Sequence, residues 1–224
     1  MKKSDRSRLL MTALVGIVLL GCVRVSGGPR VVGSGIAQTE TRQVGAFQNV
    51  RIDGSAKVNV KIGGEPSLTV TADDNILPIL TTDVRGDTLV ISCKDNVSYS
   101  PKVGVTVEIT TPALSGVEIN GSGDVNVTNL KAQKFSAIIR GSGDVRASGS
   151  ADSINAEIKG SGDIKLGELH AKSGNVSVAG SGNATVNVSD ELNVNVAGSG
   201  DIRYRGSPKI QKSIAGSGSV KPVG

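Results

Sequence analysis

Four aspartates end the same recurring phrase, Gly-Ser-Gly-Asp. Carboxylates repeated at a regular spacing could bind a cation such as Ca²⁺, which prefers oxygen ligands. A pair placed across a cleft could instead serve as acid and base in glycoside hydrolysis. Short acidic side chains can also accept hydrogen bonds from backbone amides at turns. All three roles are open for the same four residues, which are Asp124, Asp144, Asp163 and Asp201.

The phrase returns six times at intervals of 18 to 20 residues, with Asn183 and Ser219 in the aspartate position of the fourth and sixth copies. A constant period of this size indicates a solenoid, in which each repeat forms one coil. Glycine allows a positive φ angle and the close approach of stacked backbones, so we expect two structural glycines at every corner. These corner residues are Gly121, Gly123, Gly141, Gly143, Gly160, Gly162, Gly180, Gly182, Gly198, Gly200, Gly216 and Gly218.

Stacked corners would place the four aspartates in a row, about 5 Å apart from coil to coil. Carboxylates at that spacing repel unless their pKa values rise, Lys or Arg residues intervene, or a cation binds. We expect the row to serve the corners, and a Ca²⁺ ladder is the alternative. No other cofactor is expected.

Apolar residues alternate with polar ones on both sides of every corner, as in Val117 and Ile119 before the first and Val125 and Val127 after it. This period of two predicts strands with one buried face. Short strands that return at this period stack as parallel rungs, and parallel crossovers are right-handed. We therefore predict an all-β fold, a right-handed parallel β-helix or β-solenoid. Each repeat is a strand, a corner, a second strand and a looser return segment.

The amino-terminal half, residues 35–116, follows the pattern less regularly. Gly54 and its apolar flanks match the corner offsets once, and between residues 61 and 112 the phrase is absent although strand-like runs continue. We expect an irregular β-rich part that is continuous with the solenoid and caps its amino end. The regular repeats then fill residues 117–224. Their carboxyl end has no evident cap, and an open edge invites pairing with a second copy of the chain.

The chain begins with the features of a bacterial lipoprotein. Residues 1–21 read as a signal peptide, with a basic start and an apolar run too short to span a bilayer. The run ends beside Cys22, in the position of a lipobox cysteine, so we expect lipidation there and a tether over residues 22–34. In bacterial lipoproteins an aspartate directly after the lipidated cysteine favours retention in the inner membrane, and this chain has Val23 at that position. The expected location is the cell envelope, at the outer membrane if the host has two.

Composition excludes several classes of function. The net charge is +5 for the whole chain and +2 without residues 1–21, which carry four basic residues and one acidic one (5 − 4 + 1). This small charge gives no nucleic-acid footprint. His170 is the only histidine, which argues against a catalytic triad or a multi-histidine metal site. Cys93, the only cysteine besides Cys22, is expected to be a buried small hydrophobe.

The tandem corners, the lipoprotein start and the lead-in Val44-Gly-Ala-Phe-Gln-Asn-Val50 together resemble a bacterial family. That family is the putative auto-transporter adhesin, head GIN domain proteins, and the resemblance covers about residues 35–224. It implies an envelope-exposed β-helical domain and brings no catalytic residues with it.

Two functions from different classes fit these observations. The first is a non-catalytic module that binds, adheres to or organises envelope components, with a glycan or protein as its ligand. Its ligand-facing stripe would be the outward residues after the corners, Asn126, Arg146, Lys165 and Arg203. The alternative is a polysaccharide lyase or glycoside hydrolase built on a β-helix. The repeat offers a row of aspartates but no cluster that interrupts it, so we favour the binding module.

Overall fold

The computed structural model describes residues 28–223. Within this range no helix is long and apolar enough to cross a membrane. The predicted signal peptide and Cys22 lie outside the described residues. The described chain is almost entirely β-structure, with a single 3₁₀ helix at Leu77–Ile79. The strands are β1 (Arg30–Val32), β2 (Ala37–Thr41), β3 (Asn49–Gly54), β4 (Lys57–Ile62), β5 (Ser67–Asp73), β6 (Leu80–Arg85), β7 (Thr88–Cys93), β8 (Ser98–Ser100), β9 (Thr106–Thr111), β10 (Gly116–Gly121), β11 (Asp124–Gly141), β12 (Val145–Gly160), β13 (Ile164–Gly180), β14 (Ala184–Gly198), β15 (Asp201–Arg205), β16 (Lys209–Gly216) and β17 (Ser219–Pro222).

The regular repeats form a parallel β-solenoid, which confirms the predicted fold class. Strands β10 to β14 pair in sequence order, and β15, β16 and β17 continue the stack. The corner glycines stay in one register along the whole column, because Gly121 lies opposite Gly141 and Gly198 lies opposite Gly216. Identical corners can stack in this way because parallel pairing places equivalent residues of successive coils side by side.

Each coil has three faces rather than two strands and a loose return. The pre-corner face ends at the first corner glycine, as in residues 116–121, and the post-corner face follows the corner, as in residues 125–127. The return face is itself a strand ladder, in which Leu130 lies opposite Gly149 and Ala151 opposite Ala171. The register shifts of β11 to β14 occur at or beside this face and absorb the variation in repeat length.

The core is a set of columns of stacked aliphatic side chains. The inward residues on both sides of the corners are buried, as Ile119, Ile139 and Ile158 illustrate with at most 1% exposure. Each such side chain contributes about 1.5–3 kcal/mol when fully buried. The columns end at the last coil, where Lys212 occupies an inward position beside Val194 and Ile214 is 39% exposed.

The amino-terminal half joins the same stack, but not in chain order. Strands β3 and β4 form a coil with its corner at Gly54, which lies opposite Gly121 as predicted. The later strands β7 and β9 pair in parallel with the opposite edges of β3 and β4, so they lie beneath a coil that precedes them in sequence. Antiparallel strands complete this end, with β6 on β7 and the series β2, β5 and β9 beside it.

The first described strand lies inside the predicted tether. Strand β1 pairs in parallel with β8, and the Gly33 amide donates a hydrogen bond of 2.9 Å to the Ser100 carbonyl. The chain therefore enters the fold at the capped end of the solenoid, opposite the open carboxyl end.

Candidate functional site

The two glycines of each corner are needed for different reasons. The first has a positive φ angle, 145° at Gly141 and 142° at Gly160, which L-residues rarely adopt. The second has no positive φ, but a Cβ at Gly143 would lie within 3.0 Å of the Gly123 carbonyl oxygen of the preceding coil. The backbones of successive corners therefore touch along the column, and neither position has room for a side chain.

The corner aspartates hydrogen-bond to the next coil rather than to their own turn. Each Oδ1 atom accepts the backbone N–H of the equivalent residue one coil further on, and the native Asn183 takes part in the same way. The N···Oδ1 distances are 3.0 Å from Asp144 to Asp124, 3.2 Å from Asp163 to Asp144, 3.1 Å from Asn183 to Asp163, 3.0 Å from Asp201 to Asn183 and 3.0 Å from Ser219 to Asp201. We call this series the corner ladder, comprising Asp124, Asp144, Asp163, Asn183, Asp201 and Ser219.

Basic side chains relieve the repulsion between the ladder carboxylates. The Lys165 ammonium lies 2.8 Å from Asp144 Oδ2 and 3.2 Å from Asp163 Oδ2, and Arg146 contacts the same Asp144 oxygen at 3.1 Å. The hydrogen bond that Lys165 donates to the Asp144 carboxylate is the main reason that the pKa of Lys165 is raised. Of the three ways to relieve repulsion in a row of carboxylates, this structure uses intervening Lys and Arg side chains.

The pKa directions agree with this arrangement. Partial burial by itself would raise the pKa of Asp163, but hydrogen bonds from Asn183 and the contact with Lys165 together lower it. The pKa of Asp201 is lowered chiefly by its hydrogen bond from the Ser219 hydroxyl, at 2.7 Å. These two carboxyl groups are stabilised in the ionised form. A general acid for glycoside hydrolysis needs the opposite shift.

The ladder oxygens already have protein partners that a Ca²⁺ ion would have to replace. Asp144 Oδ1 accepts an N–H and its Oδ2 faces two cations. Over residues 28–223 no three His, Cys, Asp or Glu side chains are grouped so that they could hold a metal ion. The Ca²⁺ ladder stays a hypothesis that a titration can test.

The predicted polar stripe is a true column on the post-corner face. Asn126 lies opposite Arg146, Arg146 opposite Lys165, and Thr185 stands between Lys165 and Arg203. Parallel register therefore brings together residues that are 77 positions apart (203 − 126). Lys165 is half-buried between two ladder carboxylates, so this part of the stripe is occupied by ion pairs.

The sequence pattern did not single out Asp73 as a site residue, because Asp73 lies outside the repeated phrase. Its carboxylate is fully buried and accepts backbone N–H groups from Gly35 at 2.7 Å, Lys102 at 3.0 Å and Val103 at 3.3 Å. Burial alone would raise the pKa of Asp73, but these hydrogen bonds outweigh it and lower the pKa. The residue fastens two loops to β5, which is a structural role. An acidic residue at the end of a strand rich in apolar residues was the only available signal.

The remaining reactive side chains do not converge with the ladder. His170 lies on the return face, where its Nδ1 atom is 3.0 Å from Asn187 Nδ2. Cys93 is half-buried rather than buried as expected, and its thiol donates to the Val97 carbonyl at 3.2 Å.

Part of the lead-in segment, residues 44–50, which carries the family resemblance, lines a cavity at the capped end. Residues 41–47 cross over β5 and β9 and enclose about 390 Å³, with Val44, Phe47 and Leu68 among the apolar side chains of the lining. Arg42 closes one side by donating hydrogen bonds to the carbonyls of Leu77 and Leu80. A cavity of this size could accept a small apolar group.

Stacked parallel coils, glycine corners and a side-chain ladder define the protein as a β-solenoid of the repeat class. The family model described as "Putative auto-transporter adhesin, head GIN domain" matches residues 46–208, which is more than half of the chain. The protein therefore belongs to this family, as the sequence indicated. No curated protein matches the chain.

Solved structures share the fold over nearly their whole length. A putative adhesin from Bacteroides fragilis is 26% identical with a TM-score of 0.71, covering 86% of this chain and 100% of its own. A putative lipid binding protein from Parabacteroides distasonis is 25% identical with a TM-score of 0.54, covering 88% and 100%. A putative adhesin from the same species, at 23% identity and a TM-score of 0.59, supports the fold alone and covers 87% and 100%.

Proposed function

We propose that this protein is a lipid-anchored module of the cell envelope that binds or adheres to other molecules without catalysing a reaction. The observation that carries the proposal is the corner ladder. By joining every coil to the next, it holds the outward side chains in straight columns on a stiff lateral surface. A surface of this kind suits an extended ligand that contacts several coils at once. The adhesin descriptions of the family and of its structural neighbours support the same function.

The position of the chain entry supports the anchoring part of the proposal. Lipidation at Cys22 would attach the membrane close to β1, at the capped end of the solenoid. Seven steps from the rung of β7 to that of β16, at about 4.8 Å each, place the open end about 34 Å away. The lateral faces and the open end would then project from the membrane, with the outer membrane as the favoured site because Val23 is not an aspartate.

Catalysis is the weaker alternative because of the state of the ladder carboxylates. The pKa values of Asp163 and Asp201 are lowered, whereas a glycosidase acid needs a raised pKa. The Asp144 oxygens are held by a backbone N–H and two cations, which leaves no free nucleophile there.

Surface exposure and anchoring can be tested in one experiment. Intact cells are treated with a protease, and the domain is detected before and after the envelope is opened, alongside a Cys22→Ser variant. Adhesion predicts that the domain is lost from sealed cells and that the variant leaves the membrane fraction. If the domain survives until the envelope is opened, adhesion to external partners is ruled out, and an organising role inside the envelope becomes the favoured form of the proposal.

Lipid binding is a second candidate because one structural neighbour carries that description and this chain has a cavity lined in part by apolar side chains. The cavity beside Phe47 would take an acyl chain or a similar apolar group. Native mass spectrometry of the protein purified from membranes tests this, with Phe47→Ala as the variant. A copurifying lipid that Phe47→Ala loses would support lipid binding, and a ligand-free protein would argue against it.

A further inference from the structure

The pre-corner face changes its chemistry along the stack. Its early coils carry ion pairs on the outside, including Arg51 with Asp53 and Arg140 with Glu118. Lys159 with Glu157 is the next pair, one coil further on. Beyond that coil, the outward positions of this face hold no charged side chain over the described residues.

The uncharged part is a regular array of three rungs and three columns, which we call the neutral grid. Register places one amide above another in the first column, amide and hydroxyl groups in the second, and methyl groups in the third. The neutral grid consists of Asn175, Ser177 and Ala179, then Asn193, Asn195 and Ala197, and then Gln211, Ser213 and Ala215.

The polar groups of the grid are accessible to a ligand. Asn193 Nδ2 donates to Asn175 Oδ1 at 3.1 Å, which orients these two amides along the column. Asn195 and Gln211 are exposed and Ser177 is half-exposed. A shallow depression of about 490 Å³ lies over the first two columns. Its lining consists of the six polar side chains of these columns, which offer hydrogen-bond donors and acceptors, together with Val176, Val194 and the charged Lys212 of the last coil.

These properties select the class of ligand. The nine grid residues carry no charge, and the charges that border them are of both signs, with Lys212 in the depression and Glu191 and Lys209 at the adjoining outward positions. Neither a polyanion nor a polycation is therefore matched, and a lipid finds no large apolar side chain among the grid residues. Hydroxyl and acetamido groups can exchange hydrogen bonds with Asn, Gln and Ser in both directions, while alanine methyl groups can pack against C–H groups beside them. Successive rungs are ~4.8 Å apart, so the same groups recur at that spacing along each column, which suits a linear ligand made of repeating units.

We propose that the neutral grid binds an uncharged glycan bearing hydroxyl and acetamido groups. This inference rests on the proposed function, because it names the ligand of the same lateral surface. The glycan runs along the stack, with its polar groups on the amide columns and its C–H face on the column of Ala179, Ala197 and Ala215. Each rung adds few contacts, so several rungs act together.

Isothermal titration of the mature chain carrying Cys22→Ser tests this with chitohexaose as the probe and polygalacturonate as a charged comparison. Asn195→Asp puts a carboxylate at the centre of the grid at nearly constant shape. Gln133→Glu makes the same change at an exposed position two coils before the grid and is the matched control. We expect chitohexaose to bind, Asn195→Asp to weaken binding about tenfold, and Gln133→Glu to alter it less than twofold. Ala197→Leu, which blocks the methyl column without adding charge, should also weaken binding.

The outcomes separate the site from the function. Equal effects of Asn195→Asp and Gln133→Glu would overturn the grid as the site, and so would tighter binding of polygalacturonate than of chitohexaose. Absence of chitohexaose binding while the protein still adheres to cells would overturn the glycan assignment alone. Absence of both would remove the proposed function as well. Melting temperatures of the variants close to the parent confirm that they are folded.

Discussion

Replacement of Asp163 tests whether the corner ladder stabilises the stack. Its Oδ1 atom accepts the backbone N–H of Asn183 at 3.1 Å and the Asn183 side-chain amide at 3.0 Å, and its Oδ2 contacts Lys165 at 3.2 Å. Asp163→Ala removes all three interactions. Asp163→Asn removes the charge but retains an oxygen acceptor, as the native Asn183 does when it accepts the Asp201 N–H at 3.0 Å.

The two variants should differ in magnitude. A hydrogen bond to a charged group contributes about 1.5–3 kcal/mol, and water can replace part of it at this half-exposed site, so Asp163→Ala should cost about 1–2 kcal/mol. The ion pair with Lys165 is partly exposed and contributes about 0–1 kcal/mol, and Lys165 keeps Asp144 as a partner. Asp163→Asn should therefore cost less than about 1 kcal/mol.

Thermal unfolding followed by circular dichroism measures the difference. For a chain of this size, about 2–4 °C corresponds to 1 kcal/mol, so Asp163→Ala should lower the Tm by about 2–8 °C. Hydrogen exchange of the Asn183 amide gives a local readout and should accelerate in Asp163→Ala only. Equal Tm values for the two variants, or unchanged exchange at Asn183 in Asp163→Ala, would refute a stabilising ladder.

Four further outcomes are expected. Gly160→Ala should unfold the protein or destabilise it by more than about 4 kcal/mol, because φ is 142° and the new Cβ would clash with the Gly141 carbonyl. Ser161→Ala changes an exposed neighbour and should leave the Tm within about 1 °C. Similar losses of stability in both variants would contradict this prediction. Asp73→Ala should lower the Tm and raise protease cleavage near residue 35, and intact loops would show that the carboxylate is dispensable. The pKa values of Asp73 and Asp201 are lowered in the fold, so their contribution to stability is complete above the unfolded value of 3.8 and is lost as the pH falls through the folded values. Acid titration should therefore show a loss of stability that starts near pH 4, and these two groups should cause no change between pH 5 and 7. Millimolar Ca²⁺ should leave the Tm unchanged, and a rise would revive the Ca²⁺ ladder.

The repeat is the part of the fold that the sequence determined. The glycine phrase at a constant period required parallel coils, and the alternation around it placed Val125, Ile139 and Val178 in the core, where they are at most 1% exposed. These inferences succeeded because they depend on local rules: the period of a strand, and the need for glycine where backbones touch. The corner at Gly54 followed from the same offsets.

Only the tertiary structure decided which coil lies beside which in the amino-terminal half. Strands β7 and β9 pair with the outer edges of β3 and β4, although they follow them in the sequence. No local pattern specifies that order, because pairing between strands far apart in sequence depends on the long-range packing of the whole sheet. The same holds for the backbone amide that donates to each ladder aspartate. The phrase predicted a turn residue that bonds a backbone amide, but the amide belongs to the next coil, 18 to 20 residues away. The neutral grid likewise exists only after stacking, since Asn175, Asn195 and Ser213 become neighbours through register rather than through sequence.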